Sequence, residues 1–205
     1  SISGNLSGSL NSSINARDIV LEKYPDRKIV CLDSLNASFG EAMSAIMASK
    51  ARDEGKTLEE TVNLISPLRL NFRSEFVVDK LTYLARGGRI SPIVASIGNL
   101  LDIKPLLRAS ADAKIESFCK VRGKKKAILK LVETVKENII NPENQTVYIA
   151  HCDDLIEANS LKELLLKFIP NIKNIYIQQY DLCSGGHVGP SALAIFYYGK
   201  SRLEK

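Results

Sequence analysis

The chain has no tryptophan, two methionines and two histidines in 205 residues, and its aromatic content is 6%. That scarcity argues against a surface for single-stranded nucleic acid, which needs aromatic platforms interleaved with basic side chains. Four cysteines stand far apart, at 31, 119, 152 and 183, with no CxxC. Structural zinc sites usually draw two ligands from one short loop, so no metal is expected. Cys31 and Cys119 lie in apolar runs and read as reduced core thiols. No apolar run approaches the roughly 20 residues of a membrane-crossing helix, and nothing resembles a secretory signal, so a cytoplasmic location is expected. The phosphate-cradling G-x-x-x-x-G-K-[ST] loop and the G-x-S-x-G nucleophile elbow are both missing.

What is present is ordinary globular material, 45% hydrophobic and 25% charged. The net charge of +5 gathers largely in one run, Lys120-Val121-Arg122-Gly123-Lys124-Lys125-Lys126. A phosphate-binding surface needs a broader stripe, so the run reads as a solvated helix start or a dock for an acidic partner, and nucleic acid is not expected.

A Ser/Gly/Asn-rich opening leads into a helix that runs to about residue 23. Residues 28–33 form a short apolar run closed by Asp-Ser, which predicts a buried parallel strand. Helical patterns follow at 39–54 and after Thr57-Leu58-Glu59-Glu60, a capping box. Beyond residue 68 the pattern predicts an extended run to 78, a helix ending at Arg86, a helix over 92–101, and two strands within 104–122 turning at 111–114. A helix at 124–138, a strand at 146–151, a helix at 155–168 and strands at 174–181 and 192–198 complete it. Alternation in 146–151 and 175–180 suggests an antiparallel sheet with helices on one face. The fold class expected is therefore α/β: a partial Rossmann-like piece over residues 1–70 and an α+β domain with a mostly antiparallel sheet over 71–205. A single strand cannot make a stable sheet, so the first piece reads as the back part of a longer protein.

Three polar, glycine-bearing segments could carry chemistry. Ser3-Gly4-Asn5-Leu6-Ser7-Gly8-Ser9 enters a helix, where free amides and small hydroxyls suit a phosphate or carboxylate. A plain serine N-cap explains the same residues, and residues alone favour it. Tyr83-Leu84-Ala85-Arg86-Gly87-Gly88-Arg89-Ile90-Ser91-Pro92 reads as one helix end and the next helix start, which leaves the two arginines unexplained. Ser184-Gly185-Gly186-His187-Val188-Gly189-Pro190 is expected as a tight loop between strands that fixes the direction of an imidazole. His151, at a strand end, reads as a structural histidine.

In this order and at this approximate spacing, the segments resemble the DegV family. Ser3-x-x-Leu6-Ser7-Gly8-Ser9 is similar to its Ser-Ser-x-Leu-Ser-Gly-Thr loop. Phe76-Val77-Val78-Asp79, Tyr83-Leu84 and Gly87-Gly88-Arg89-Ile90-Ser91 are similar to its central signature, which Gly98-Asn99-Leu100-Leu101 and Ile103-Lys104-Pro105 continue. Val121-Arg122-Gly123 and His187-Val188-Gly189-Pro190 follow. Departures are Gly4 where a second serine is frequent, Ser9-Leu10 where Thr-Tyr is usual, and Ser191 where glycine is frequent. The family's opening Asp-Ser strand and its Thr-Ser-x-Pro loop have no counterpart in this sequence.

The resemblance implies a carrier with no catalytic residues, cofactor or metal of its own, holding a long-chain fatty acid in an apolar tunnel between two domains. Carried over, Ser3, Ser7 and the amides near Gly8 would contact the carboxylate, and His187 would hydrogen-bond it from the other side. A carboxylate only accepts hydrogen bonds, so donors must surround it, while each buried methylene adds roughly 0.8 kcal/mol. The resemblance further implies a separate ATP-binding fatty acid kinase subunit that forms an acyl phosphate for phospholipid synthesis, docking at Arg89 and Arg122. Two other readings stay open on the residues: a hydrolase or transferase using Ser7 and His187, and a nucleic-acid module at 120–126.

Overall fold

A computed structural model describes residues 1–91 and 103–204. Its centre is a six-stranded sheet in the order β3-β2-β1-β6-β4-β5. The strands are β1 (Phe72–Val77), β2 (Ile103–Ala109), β3 (Ile115–Arg122), β4 (Thr146–His151), β5 (Asn174–Gln179) and β6 (Leu193–Tyr198). β1 pairs antiparallel with both β2 and β6, and β4 pairs antiparallel with β6.

The sheet is mostly antiparallel, as expected, and β4 and β5 are the exception, running parallel with Thr146 opposite Asn174. Their link is a helix, α6 (Leu155–Phe168), and a crossover of that kind returns the chain in the same direction. Alternation within a strand reports that its two faces differ, and does not report its partner's direction.

The two faces of the sheet have different neighbours. Val77, Leu106, Val147, Ile149, Leu193, Ile195 and Tyr197 point toward α5 (Lys124–Asn138) and α6 and form the main core with Leu131, Val135, Leu161 and Leu165. That face also buries an ion pair, Arg73 Nε to Glu75 Oε1 at 2.9 Å. The opposite face carries Ala150, Ala194 and Phe196, and Phe39, Phe76, Tyr148 and Tyr180 pack on them. Phe39 opens α2 (Phe39–Asp53), and its ring stacks on Tyr148 at 4.9 Å.

Side-chain caps explain three of the seven α-helix starts among the described residues. Thr57 and Glu60 form the expected capping box at α3 (Leu58–Ile65), with Thr57 N donating to Glu60 Oε2 at 2.8 Å and Glu60 N to Thr57 Oγ1 at 3.2 Å. Asp154 accepts from Glu157 N at the start of α6 and is paired with Lys124. The first helix, α1 (Ser9–Lys23), buries none of its residues.

Two expectations about local structure are corrected. Residues 28–33 form no strand, and Ile29 and Val30 are exposed. Among the described residues their backbone pairs with other backbone only through Ser1 N donating to Leu32 O, with Ser34 N donating to Ser1 O beside it, both at 2.9 Å, too little for a ladder. Residues 184–190 are not a plain loop, since most of them lie in α7 (Leu182–Val188). Asp181 Oδ1 accepts from Cys183 N and Ser184 N, both at 2.9 Å, and this cap starts a helix despite two glycines inside it. The helix expected over 92–101 lies outside the described residues.

Candidate functional site

α7 packs against the short helix α4 (Thr82–Arg86), which joins two of the glycine-bearing segments. Both approaches require glycine. A methyl group on Gly87 would overlap the imidazole Nδ1 of His187, and one on Gly189 would overlap the Tyr83 ring. Gly189 also has a φ of +79°, a conformation that costs other residues strain.

Between α7, the sheet and the N-terminal loops lies a cavity of about 160 Å³. Phe76, Phe196 and Ser74 form its floor, and Ala109, Ala113 and Ile115 contribute from the β2–β3 hairpin. Ile2, Leu6 and Ser7 contribute from the opening loop, and Asn36, Ala37 and Ser38 from the loop before α2. Cys183, Ser184, His187 and Val188 approach along α7, with Tyr180 just before it, and Leu84 and Arg89 come from α4 and the turn after it. The surface is chiefly apolar. Its lining includes one permanent cation, Arg89, and no carboxylate or lysine among the described residues.

The hydrogen bonds show how each polar group is held. Arg89 Nε donates to Leu6 O at 3.0 Å and Nη1 donates to Gly87 O, so the guanidinium ties the opening loop to the α4 turn. Ser7 Oγ lies 2.9 Å from Ser9 Oγ and accepts from Ser9 N at 3.2 Å. Ser3 is fully buried, does not line the cavity, and braces the loop: its N–H donates to Asn36 O at 2.8 Å and its Oγ accepts from Asn5 N at 3.2 Å. Gly8 is the exposed N-cap residue of α1 and also stands off the lining. His187 lines the cavity, and no hydrogen bond joins it to Ser7 among the described residues. No third group orients its ring there, as nucleophilic catalysis would need.

Arg122 is exposed at the end of β3, opposite Ile103, and lies away from the cavity. His151 is 94% buried by the sheet end, and its Nδ1 accepts from Asp154 N at 3.2 Å, a structural role. Among the described residues no cluster of three or more His, Cys, Asp or Glu could hold a metal. No helix among them is long and apolar enough to cross a membrane.

The wall formed by residues 36–38, the floor serine Ser74 and Tyr180 were not marked by sequence reasoning. The wall's backbone is unusual, with φ of +53° at both Leu35 and Ser38. Such values at non-glycine residues cluster at functional sites, but sequence does not display them. Asn36 secures the loop by donating from Nδ2 to Phe72 O at 2.6 Å, and Gly40 gives its side chain room.

The mixed sheet thus carries on one face a chiefly apolar cavity whose described lining includes one permanent cation, Arg89. The family model described as uncharacterised protein, DegV family, matches residues 1–200. A DegV domain-containing protein of Clostridium perfringens is 36% identical over 197 residues, covering 96% of this chain and 67% of that protein. The chain belongs to the DegV family. Among solved structures, the Streptococcus pneumoniae fatty acid kinase (Fak) B3 protein loaded with linoleic acid superposes with a TM-score of 0.88 at 26% identity, covering 97% of this chain and 70% of that one. A DegV family protein from Ruminococcus gnavus, refined with vaccenic acid, gives 0.86 at 26% identity over 95% of this chain and 69% of that one.

Proposed function

We propose that this chain binds a long-chain fatty acid, with its carboxylate at Ser7, Arg89 and His187 and its hydrocarbon tail along the apolar floor. The observation that carries the reading is Arg89: a fixed positive charge in a chiefly apolar cavity whose described lining has no carboxylate to neutralise it. A fatty acid carboxylate supplies that charge and accepts from the guanidinium, the Ser7 hydroxyl and the imidazole. Ser3 and the Gly8 end of α1 support the loop that presents Ser7. The lining draws on both proposed domains, residues 1–70 through the two loops and residues 71–205 through the sheet, α4 and α7, which suits a tunnel between them. Relatives crystallised with linoleic and vaccenic acid support the ligand class.

The carrier presents the acid to a separate ATP-dependent kinase subunit that forms the acyl phosphate, and it needs no cofactor. Arg122 and the outer side of Arg89 are the docking residues for that subunit. The test is a comparison of a fatty acid with the alcohol of equal chain length. The acid should bind and the alcohol should bind much more weakly; equal affinities would remove the role of Arg89.

A further inference from the structure

Directly opposed residues trace one row across the sheet on its cavity face: Phe76 pairs with Ala194, Ala194 with Ala150, and Ala150 with Gln178. Phe76 lies in the cavity floor, whereas Ala150 and Gln178 line a second, open groove of about 630 Å³ at the β5 edge. The middle of the row is shallow, because both central residues are alanines. Ser38 and Tyr180 line the cavity and the groove alike, so the two spaces adjoin at these residues.

The groove has the surface of a hydrocarbon site. Phe39, Ala42 and Ala150 line it, and Leu182 at its rim is 97% exposed. Polar groups beside them are engaged: Tyr176 OH donates to Gln178 Oε1 at 3.2 Å, and Asp181 caps α7.

The proposed carboxylate end lies toward the other side of the sheet. Arg89 holds Leu6 O, and the adjoining Asn5 donates from Nδ2 to Asp112 O in the β2–β3 turn at 2.6 Å. The His187 end of α7 meets Gly87, and its Leu182 end meets the groove. Four strand spacings separate β2 from β5, about 19 Å at roughly 4.8 Å each. One lipid tail fills half of a bilayer core of roughly 30 Å, about 15 Å. An acid of that reach, held on the β2 side, ends near Ser38 and Tyr180. A longer one runs past them.

We infer that the groove at the β5 edge is a second tail subsite, continuous with the cavity past Ser38 and Tyr180, and that the protein takes acids whose methyl end is extended or carries a bulky apolar group. The inference rests on the fatty-acid reading and adds the class of acyl chain. A closed pocket limits tail length, because overpacking costs more than an added methylene returns. An open groove sets no such limit.

The test is titration of the intact protein with dodecanoic acid, stearic acid and a pyrenyl hexadecanoic acid whose ring marks the methyl end. The pyrenyl acid should bind as tightly as stearic acid, with its fluorescence open to quenching by iodide. Ala42→Trp, which fills the groove, should weaken the pyrenyl acid about tenfold, the loss of about two buried methylenes, and leave dodecanoic acid unchanged. Leu182→Asp alters a side chain that is 97% exposed, and it should act in the same direction if the tryptophan variant is unstable. Three results overturn the subsite while leaving fatty-acid binding intact: a wild type that binds stearic acid and rejects the pyrenyl acid, variants that leave the pyrenyl acid unaffected, or variants that weaken dodecanoic acid equally. Failure of the wild type to bind any of the three acids overturns both.

Discussion

The imidazole of His187 occupies the space where a side chain on Gly87 would begin. Gly87 has an ordinary helical φ of −72°, so its backbone does not demand glycine; the histidine does. Gly87→Ala should therefore push His187 out of the cavity. We expect a loss of about 1–3 kcal/mol in stability, as for other overpacked contacts, and a larger proportional loss in fatty acid affinity. Thermal denaturation and ligand titration of the same variant separate the two effects.

Arg89 provides the second prediction. Hydrogen bonds to charged groups are worth about 1.5–3 kcal/mol, so Arg89→Gln should weaken fatty acid binding by about tenfold or more. Arg122→Gln should leave that affinity unchanged, because its side chain is exposed at the end of β3 away from the cavity. It should instead slow acyl phosphate formation by an added kinase subunit.

The placement of Arg89 shows what the sequence could convey. Its motif was legible, as were nearly all helices, the β2–β3 hairpin and the Thr57 capping box, since these rest on local periodicity and local hydrogen bonds. The cavity wall at Asn36–Ser38 was not, because positive φ at Leu35 and Ser38 leaves no mark in residue type. Ser74 was not either: one serine in an extended run reads as a gap in alternation until its neighbour Phe196 is known from a strand far along the chain. The helical state of residues 182–188 was masked by Gly185 and Gly186, whose poor propensity the Asp181 cap and packing against α4 offset.

That cap leads to a third prediction. Backbone and side-chain hydrogen bonds from Ser184 hold the Asp181 carboxyl below the usual carboxylate pKa. A lowered folded-state pKa means that the stabilisation is complete above the unfolded value and is lost as pH falls through the folded one. Acidification below the ordinary carboxylate range should thus loosen α7. Asp181→Ala should do so at neutral pH, at a cost of about 1 kcal/mol, while Asp181→Asn keeps an acceptor and should not. Hydrogen exchange at Leu182–Val188 reports the difference.

The far face of the sheet gives a stability prediction independent of any ligand. Burial pushes the Glu75 carboxyl upward in pKa, and the Arg73 guanidinium at 2.9 Å pulls against it. Arg73→Met would leave that carboxyl buried without its cation, a change expected to cost about 3–5 kcal/mol. The double variant Arg73→Met, Glu75→Leu should recover much of the loss. Urea denaturation of the two single variants and the double measures the coupling.

The most direct test of fatty-acid carriage is native mass spectrometry of the purified protein, followed by extraction and identification of what it holds. A long-chain fatty acid bound one per chain, and diminished in Arg89→Gln, is the expected result. A protein that takes up no fatty acid even when one is supplied, or that hydrolyses esters through Ser7, would contradict it.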